Sequence, residues 1–127
     1  PGEAARLLDC TVGEVQADRE AAARRLAGMY HCIAVLKGRG TLIATPGGEV
    51  YHNPTGSAGL AKGGSGDVLA GMLGALLCQM PARDAVQTAV WLHARAGDLC
   101  AGRMGEYAMN PTDVIAALPE VTKPIIR

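Results

Sequence analysis

Between Asn53 and Gly71 the chain loses almost every bulky side chain and then turns, without a break, into an apolar helical repeat. The run reads Asn53-Pro54-Thr55-Gly56-Ser57-Ala58-Gly59-Leu60-Ala61-Lys62-Gly63-Gly64-Ser65-Gly66-Asp67. Val68, Leu69, Met72, Leu73, Leu76 and Leu77 follow at the spacing of one helix face. Glycines permit positive φ and let a ligand approach the backbone. The N–H groups at a helix start lack intrahelical partners and carry about half a positive charge from the macrodipole. A glycine turn feeding a helix is therefore an anion site in outline. The pattern is not a P-loop, which needs a Lys-Ser/Thr pair after its last glycine, nor a dinucleotide fingerprint, which needs a later acidic residue. Asp67 stands where it could either cap the helix or act as a catalytic carboxylate. The local pattern leaves both roles open.

Around that turn the chain alternates structural types. Pro1 to Leu8 reads as a short helix with Glu3 in its first turn. Thr11 and Glu14 have the spacing of a capping box. Asp18 to Met29 is rich in Ala, Arg and Glu and predicts a helix. Cys32 to Leu36 is a short apolar run, hence a buried strand. Thr41 to Thr45 and Glu49 to His52 predict two more strands, joined as a hairpin by Pro46-Gly47-Gly48. After the glycine turn come two apolar helices, the second from Ala82 to about Cys100. A last one is capped by Asn110, with Pro111 in its first position, and ends at Pro119. Helix, strands and apolar helices together imply an α/β layer structure, part of a larger sheet.

A second candidate for anion binding is Lys37-Gly38-Arg39-Gly40-Thr41, directly after the buried strand. A lysine beside glycines at a strand's carboxyl end suits a phosphate, and an ordinary solvated turn explains it equally well. Lys62 adds a positive group near the glycine turn, and its side chain could equally face solvent. His31 and His52 lie at loop edges. His93 and Asp98 do not share a helix face, and no metal-ligand spacing occurs, so the histidines read as satisfied or exposed. Trp91 and the methionines read as core.

Bulk properties narrow the function classes. Lys+Arg and Asp+Glu are both 12, so no global field attracts nucleic acid or an anionic membrane. Aromatic residues are 3% of the chain and Phe is absent, which argues against base-stacking platforms. Cys10, Cys32, Cys78 and Cys100 form no Cys-x-x-Cys pair and read as free thiols of a reducing cytoplasm. No apolar run reaches the length of a membrane span. The 127 residues fit one domain by length, yet the chain begins Pro1-Gly2-Glu3 without Met and reads as a fragment.

Taken in order, Leu36-Lys37-Gly38-x-Gly40-Thr41, the long segment from Asn53 to Gly71, His93-Ala94-Arg95-Ala96-Gly97-Asp98 and Pro111-Thr112-Asp113-Val114-Ile115 resemble the ADP/ATP-dependent NAD(P)H-hydrate dehydratases of the ribokinase-like superfamily. The Gly-Ser-Gly-Asp turn is shared across that superfamily; the linked lysine and asparagine segments are more specific. The resemblance implies an α/β chain forming the C-terminal, nucleotide-binding half of a three-layer ribokinase-like domain, residues 1–127, with the N-terminal half absent. It implies that Lys37, Gly38, Arg39, Gly40 and Thr41 contact nucleotide phosphates. Ser57, Ala58, Gly59, Leu60, Ala61, Lys62, Gly63, Gly64, Ser65 and Gly66 surround the adenine nucleotide, with the Gly66 N–H at the phosphates. Asp67 touches the hydrated nicotinamide and serves as base, so it is both catalytic and substrate-binding. ADP or ATP is the co-substrate, Mg²⁺ accompanies it, and no residue is assigned to a metal. Pro1-Gly2-Glu3 matches the tail of a substrate-side His-Pro-Gly-Glu segment. Relatives often have Asn at position 57 and a small hydroxyl residue at position 62, where this chain has Ser57 and Lys62.

The implied partners are NAD(P)HX and an adenine nucleotide, with no nucleic acid or membrane, in a cytoplasmic homo-oligomer. A chain with half the domain is expected to lack full catalysis by itself. Two other readings share the same turn: a superfamily kinase acting on a vitamin precursor or sugar, and a nucleotide-binding module without chemistry.

Overall fold

The computed structural model describes residues 1–123; residues 124–127, which the single-domain reading also takes in, lie outside the described residues. The chain divides into two compact units, one from Pro1 to Pro54 and one from Thr55 onward. Each has its own apolar cluster.

The first unit opens with three helices, α1 (Gly2–Leu8), α2 (Val12–Ala17) and α3 (Arg19–Tyr30). The Thr11–Glu14 capping box forms as its spacing requires. The Glu14 N–H donates to Thr11 Oγ1 at 3.1 Å, and the Glu14 carboxylate accepts from the Thr11 N–H at 2.8 Å. Those two Thr11 bonds hold the Glu14 carboxyl below its ordinary range. Asp18 caps α3 through the Ala21 N–H at 2.9 Å. Three strands follow, β1 (Ala34–Leu36), β2 (Leu42–Ala44) and β3 (Val50–His52), paired antiparallel in that order. The expected β2–β3 hairpin is present, with Ile43 opposite Tyr51. β1 is shorter than its apolar run. His31 ends α3 at φ 50°, and the Cys32 N–H is bound back to the Ala27 carbonyl, so Cys32 belongs to the helix terminus. Leu8, Val15, Leu26, Leu36 and Leu42 fill the core between helices and sheet.

The second unit is helical. A short 3₁₀ turn at Ala58–Leu60 precedes α4 (Ser65–Leu77), α5 (Ala82–Met104) and α6 (Pro111–Thr122). α5 packs against both α4 and α6. It runs one turn beyond the expected end, to the positive-φ Gly105. α6 has the Asn110 cap, Pro111 in its first turn and a capping box with Asp113. It also passes through Pro119, where the sequence predicts its end. A proline removes one N–H inside a helix. Here the buried stripe of Val114 and Ala117, continued by half-buried Leu118 and Val121, outweighs that loss. The least expected feature is α4. Despite its apolar sequence only Ser65 and Leu69 are buried, and Leu77 is 49% exposed. α5 and α6 approach α4, and among the described residues of this unit nothing covers its outer face, where a Cβ at Gly71 or Gly74 would meet no atom.

Among the described residues no helix is long and apolar enough to cross a membrane. All four cysteines are free thiols.

Candidate functional site

In the second unit the glycine turn enters α4 as the sequence requires. Gly64 is the N-cap at φ 91°, ψ −20°. A Cβ there would come within 3.1 Å of the Pro111 ring, so glycine is needed on both conformational and steric grounds. The N–H groups of Ser65, Asp67 and Val68 donate to the carbonyls of Lys62 and Gly64. The Gly66 N–H donates to no backbone carbonyl among the described residues. It is the first-turn donor still available to an anion.

Asp67 is the third residue of α4, exposed, and not its cap; the cap is a glycine with no side-chain bond to the helix. Among the described residues the Asp67 carboxylate has neither a hydrogen-bond partner nor an ion-pair partner. A carboxylate in the first turn is favoured by the macrodipole and here remains free to meet a ligand. Of the two roles the sequence left open, capping is not the one it plays.

For several residues that hold this turn, the part they play was not legible in the sequence. His93, on α5, is 5% exposed, and its Nε2 lies 3.0 Å from the Ser65 carbonyl and 3.3 Å from Ser65 Oγ. A ring nitrogen that close to a carbonyl carries the proton and donates it. His93 thus pins the residue before Gly66 and Asp67. Glu106 accepts from Ser57 Oγ at 2.7 Å and from the Ala58 N–H at 3.1 Å. Lys62 turns its ammonium to the carbonyls of Tyr107 and Met109, at 2.5 and 2.6 Å, which engages its charge within the protein. The Gly56 N–H donates to Asp98. Gly59 lies flat against Met109, where a Cβ would meet Sδ at 2.2 Å, and Gly97 on α5 admits the Leu60 side chain in the same manner. Part of the glycine content therefore serves packing between the segment 56–62, the loop 105–109 and α5, a use that resembles ligand access in sequence.

In the first unit Lys37 to Thr41 form the exposed connection between β1 and β2. Gly38 has φ 143° and Gly40 φ 68°. Arg19, at the start of α3, donates to the carbonyls of Leu36 (3.2 Å), Lys37 (3.3 Å) and Arg39. Arg19 too was silent in the sequence, because its partners are backbone atoms far along the chain. A cleft of about 450 Å³ in this unit is lined by Pro1, Gly2 and Glu3 together with Leu36 and Lys37. The segment read as substrate-facing and the lysine read as phosphate-facing thus border one cavity. The predicted nucleotide contacts divide between the units, Lys37–Thr41 on the first and Ser57–Gly66, with Asp67, on the second. Among the described residues no group of three His, Cys, Asp or Glu could hold a metal ion.

Comparison with known proteins bears on this arrangement. The family model described as NAD(P)H-hydrate dehydratase matches residues 1–120. An ADP-dependent (S)-NAD(P)H-hydrate dehydratase of Neisseria meningitidis is 51% identical over 100 residues, covering 78% of this chain and 34% of that protein. A bifunctional NAD(P)H-hydrate repair enzyme of Escherichia coli is 43% identical over 98% of this chain and 24% of its own length. The crystal structure of the ADP/ATP-dependent NAD(P)H-hydrate dehydratase of Bacillus subtilis, grown with ATP and Mg²⁺, superposes with a TM-score of 0.93 at 37% identity, over 98% of this chain and 45% of that one. The chain thus spans from a quarter to under half of these relatives.

Proposed function

The chain belongs to the NAD(P)H-hydrate dehydratase family, and from that premise we propose that it forms the nucleotide-binding part of a ribokinase-like domain that dehydrates hydrated NAD(P)H at the expense of ADP or ATP. The observation that carries the proposal is Asp67: an exposed, unpartnered carboxylate one residue after the free Gly66 N–H, on a turn held from behind by buried His93.

Hydrated NAD(P)H bears a hydroxyl on its nicotinamide ring, and hydroxide is a poor leaving group. Asp67 accepts the hydroxyl proton as the oxygen attacks the terminal phosphorus of ADP or ATP. The bond from that phosphorus to its bridging oxygen breaks, and AMP or ADP departs. The ring nitrogen then expels the new phosphate ester as inorganic phosphate, and the resulting iminium loses a proton from the adjacent ring carbon to water, which restores the ring double bond of NAD(P)H. The Gly66 N–H stabilises charge on the transferring phosphoryl group. Lys37, Gly38, Arg39, Gly40 and Thr41 are assigned to the phosphates, and Ser57 to Ser65 to the nucleotide around the turn. Lys62 contributes there through its backbone, since its ammonium is bound to Tyr107 and Met109. Mg²⁺ neutralises phosphate charge when bound. Free thiols fit a reducing cytoplasm, where the nicotinamide pool resides.

The test is Asp67→Asn in a protein carrying this chain, supplied with hydrated NADH and ADP. Recovery of NADH absorbance should fall by about 10²–10⁴-fold, the usual worth of a general base, while ADP affinity stays within about threefold. Unchanged turnover would remove Asp67 from the chemistry. Phosphorylation of an added alcohol without NADH recovery would mark a kinase instead.

A further inference from the structure

We infer that Arg19 is a positioning residue for phosphate recognition, acting through the carbonyls of the Lys37–Arg39 turn to aim its N–H groups at the nucleotide. This rests on the assignment of that turn to the phosphates.

Arg19 is the first residue of α3 and half-buried. The neighbouring Asp18 carboxylate accepts from the Ala21 N–H as the helix cap, and the Arg19 guanidinium reaches away to the turn. One of its terminal nitrogens donates to the Leu36 and Lys37 carbonyls at 3.2 and 3.3 Å, and the other to the Arg39 carbonyl. Among the described residues no peptide bond is cis. In a trans peptide the carbonyl and the following N–H point in opposite directions. A carbonyl of Lys37 drawn toward Arg19 therefore turns the Gly38 N–H away from it, and the Arg39 carbonyl does the same to the Gly40 N–H. Neither N–H donates to a backbone carbonyl among the described residues. The result is a pair of outward donors in a turn of alternating handedness, the arrangement of an anion nest.

Gly38 fits the same account. Its φ of 143° disfavours any side chain, and a Cβ would stand 2.8 Å from the Arg19 guanidinium. The guanidinium occupies the inner side of the turn, which leaves the outer side for the ligand. A planar fork with several donors can bridge successive carbonyls; an ammonium offers a point charge without that geometry.

The experiment measures ADP and adenosine affinities of a protein carrying this chain and follows the Gly38 and Gly40 amide resonances. In the wild type both resonances should move with ADP and stay still with adenosine. Arg19→Met should weaken ADP about tenfold and leave adenosine within about twofold, since charge-assisted bonds of this kind are worth about one decade in affinity. Arg19→Lys, which keeps the charge and loses the planar fork, should weaken ADP about threefold. A purely structural residue would lower both affinities together or neither. If Lys37→Ala weakens ADP while both Arg19 variants keep the wild-type ADP-to-adenosine ratio, Arg19 has no such role and the turn still binds phosphate. If the wild-type Gly38 and Gly40 resonances ignore ADP, the turn is not a phosphate site and the inference fails with it.

Discussion

The two glycine-bearing turns solve one problem in two ways. In the first unit, the segment Gly38–Gly40 is open to solvent and is held from a distance by Arg19, which reaches from a helix, with the neighbouring Thr41 hydroxyl donating to the Gly38 carbonyl at 3.4 Å. In the second, residues 56–66 are held at many points: His93 at Ser65, Glu106 at Ser57 and Ala58, Lys62 at the 107 and 109 carbonyls, and Gly59 against Met109. A turn clasped by one guanidinium can be retuned by one substitution. A turn packed into a core cannot change without cost to the fold, because interiors are close-packed and transmit strain. The turn that carries Asp67, the proposed base, is the one held at many points, as positioning for proton transfer would demand.

That contrast can be broken in order of expected size. Met109 is 1% exposed and seals the segment 56–62 from beneath. Met109→Ala should cost about 2–5 kcal/mol, seen as a lower denaturant midpoint. A cost near zero would show that the second turn is no better anchored than the first. Gly59→Ala follows, at about 1–3 kcal/mol, because its Cβ would also stand 3.1 Å from the Glu106 carbonyl, a backbone atom that yields little. Arg19→Met, by contrast, should leave the unfolding midpoint almost where it was while it changes phosphate affinity. A large loss of stability there would erase the distinction between the two turns.

The smallest effects are those of pH. Burial, then the Asp113 charge, pushes the Cys100 thiol up. Its folded pKa lies above the unfolded one, so the associated stability is complete below the ordinary thiol value and is lost as pH rises toward the folded value. Cys100→Ala should flatten the alkaline decline in a melting series. At the acid end, the bond from Arg103 holds the Glu120 carboxyl down, and the bond from Arg24 does so for Glu20. Those contributions are present above the ordinary carboxylate value and fade as pH falls through the lowered one. Both pairs are solvent-exposed, so added salt should shrink this part of the acid decline.

Local rules accounted for much of the fold. Thr11 with Glu14 and Asn110 with Asp113 are capping boxes that name their own helix starts, because both partners lie within four residues. The β2–β3 hairpin follows from Pro46-Gly47-Gly48 for the same reason. The turn before α4 was legible from glycine chemistry, whereas only the structure showed that Gly64, and not Asp67, caps the helix. Boundaries were misjudged for two reasons: α6 runs through Pro119 on the strength of its buried stripe, whereas Cys32 goes to a helix terminus through a local bond to the Ala27 carbonyl.

The residues of the site separate along the same line. Residue type and short spacing were enough for the sequence by itself to nominate the Gly66 N–H and Lys37 for phosphate and the Asp67 carboxylate for the hydroxyl proton. What orients those groups was decided only in three dimensions. Arg19 meets carbonyls that follow it by about twenty positions, His93 reaches back to Ser65, and Glu106 to Ser57. Backbone carbonyls are present at every position and so mark none. A side chain that acts on them leaves no pattern in a sequence, and only the folded chain selects which carbonyl it finds.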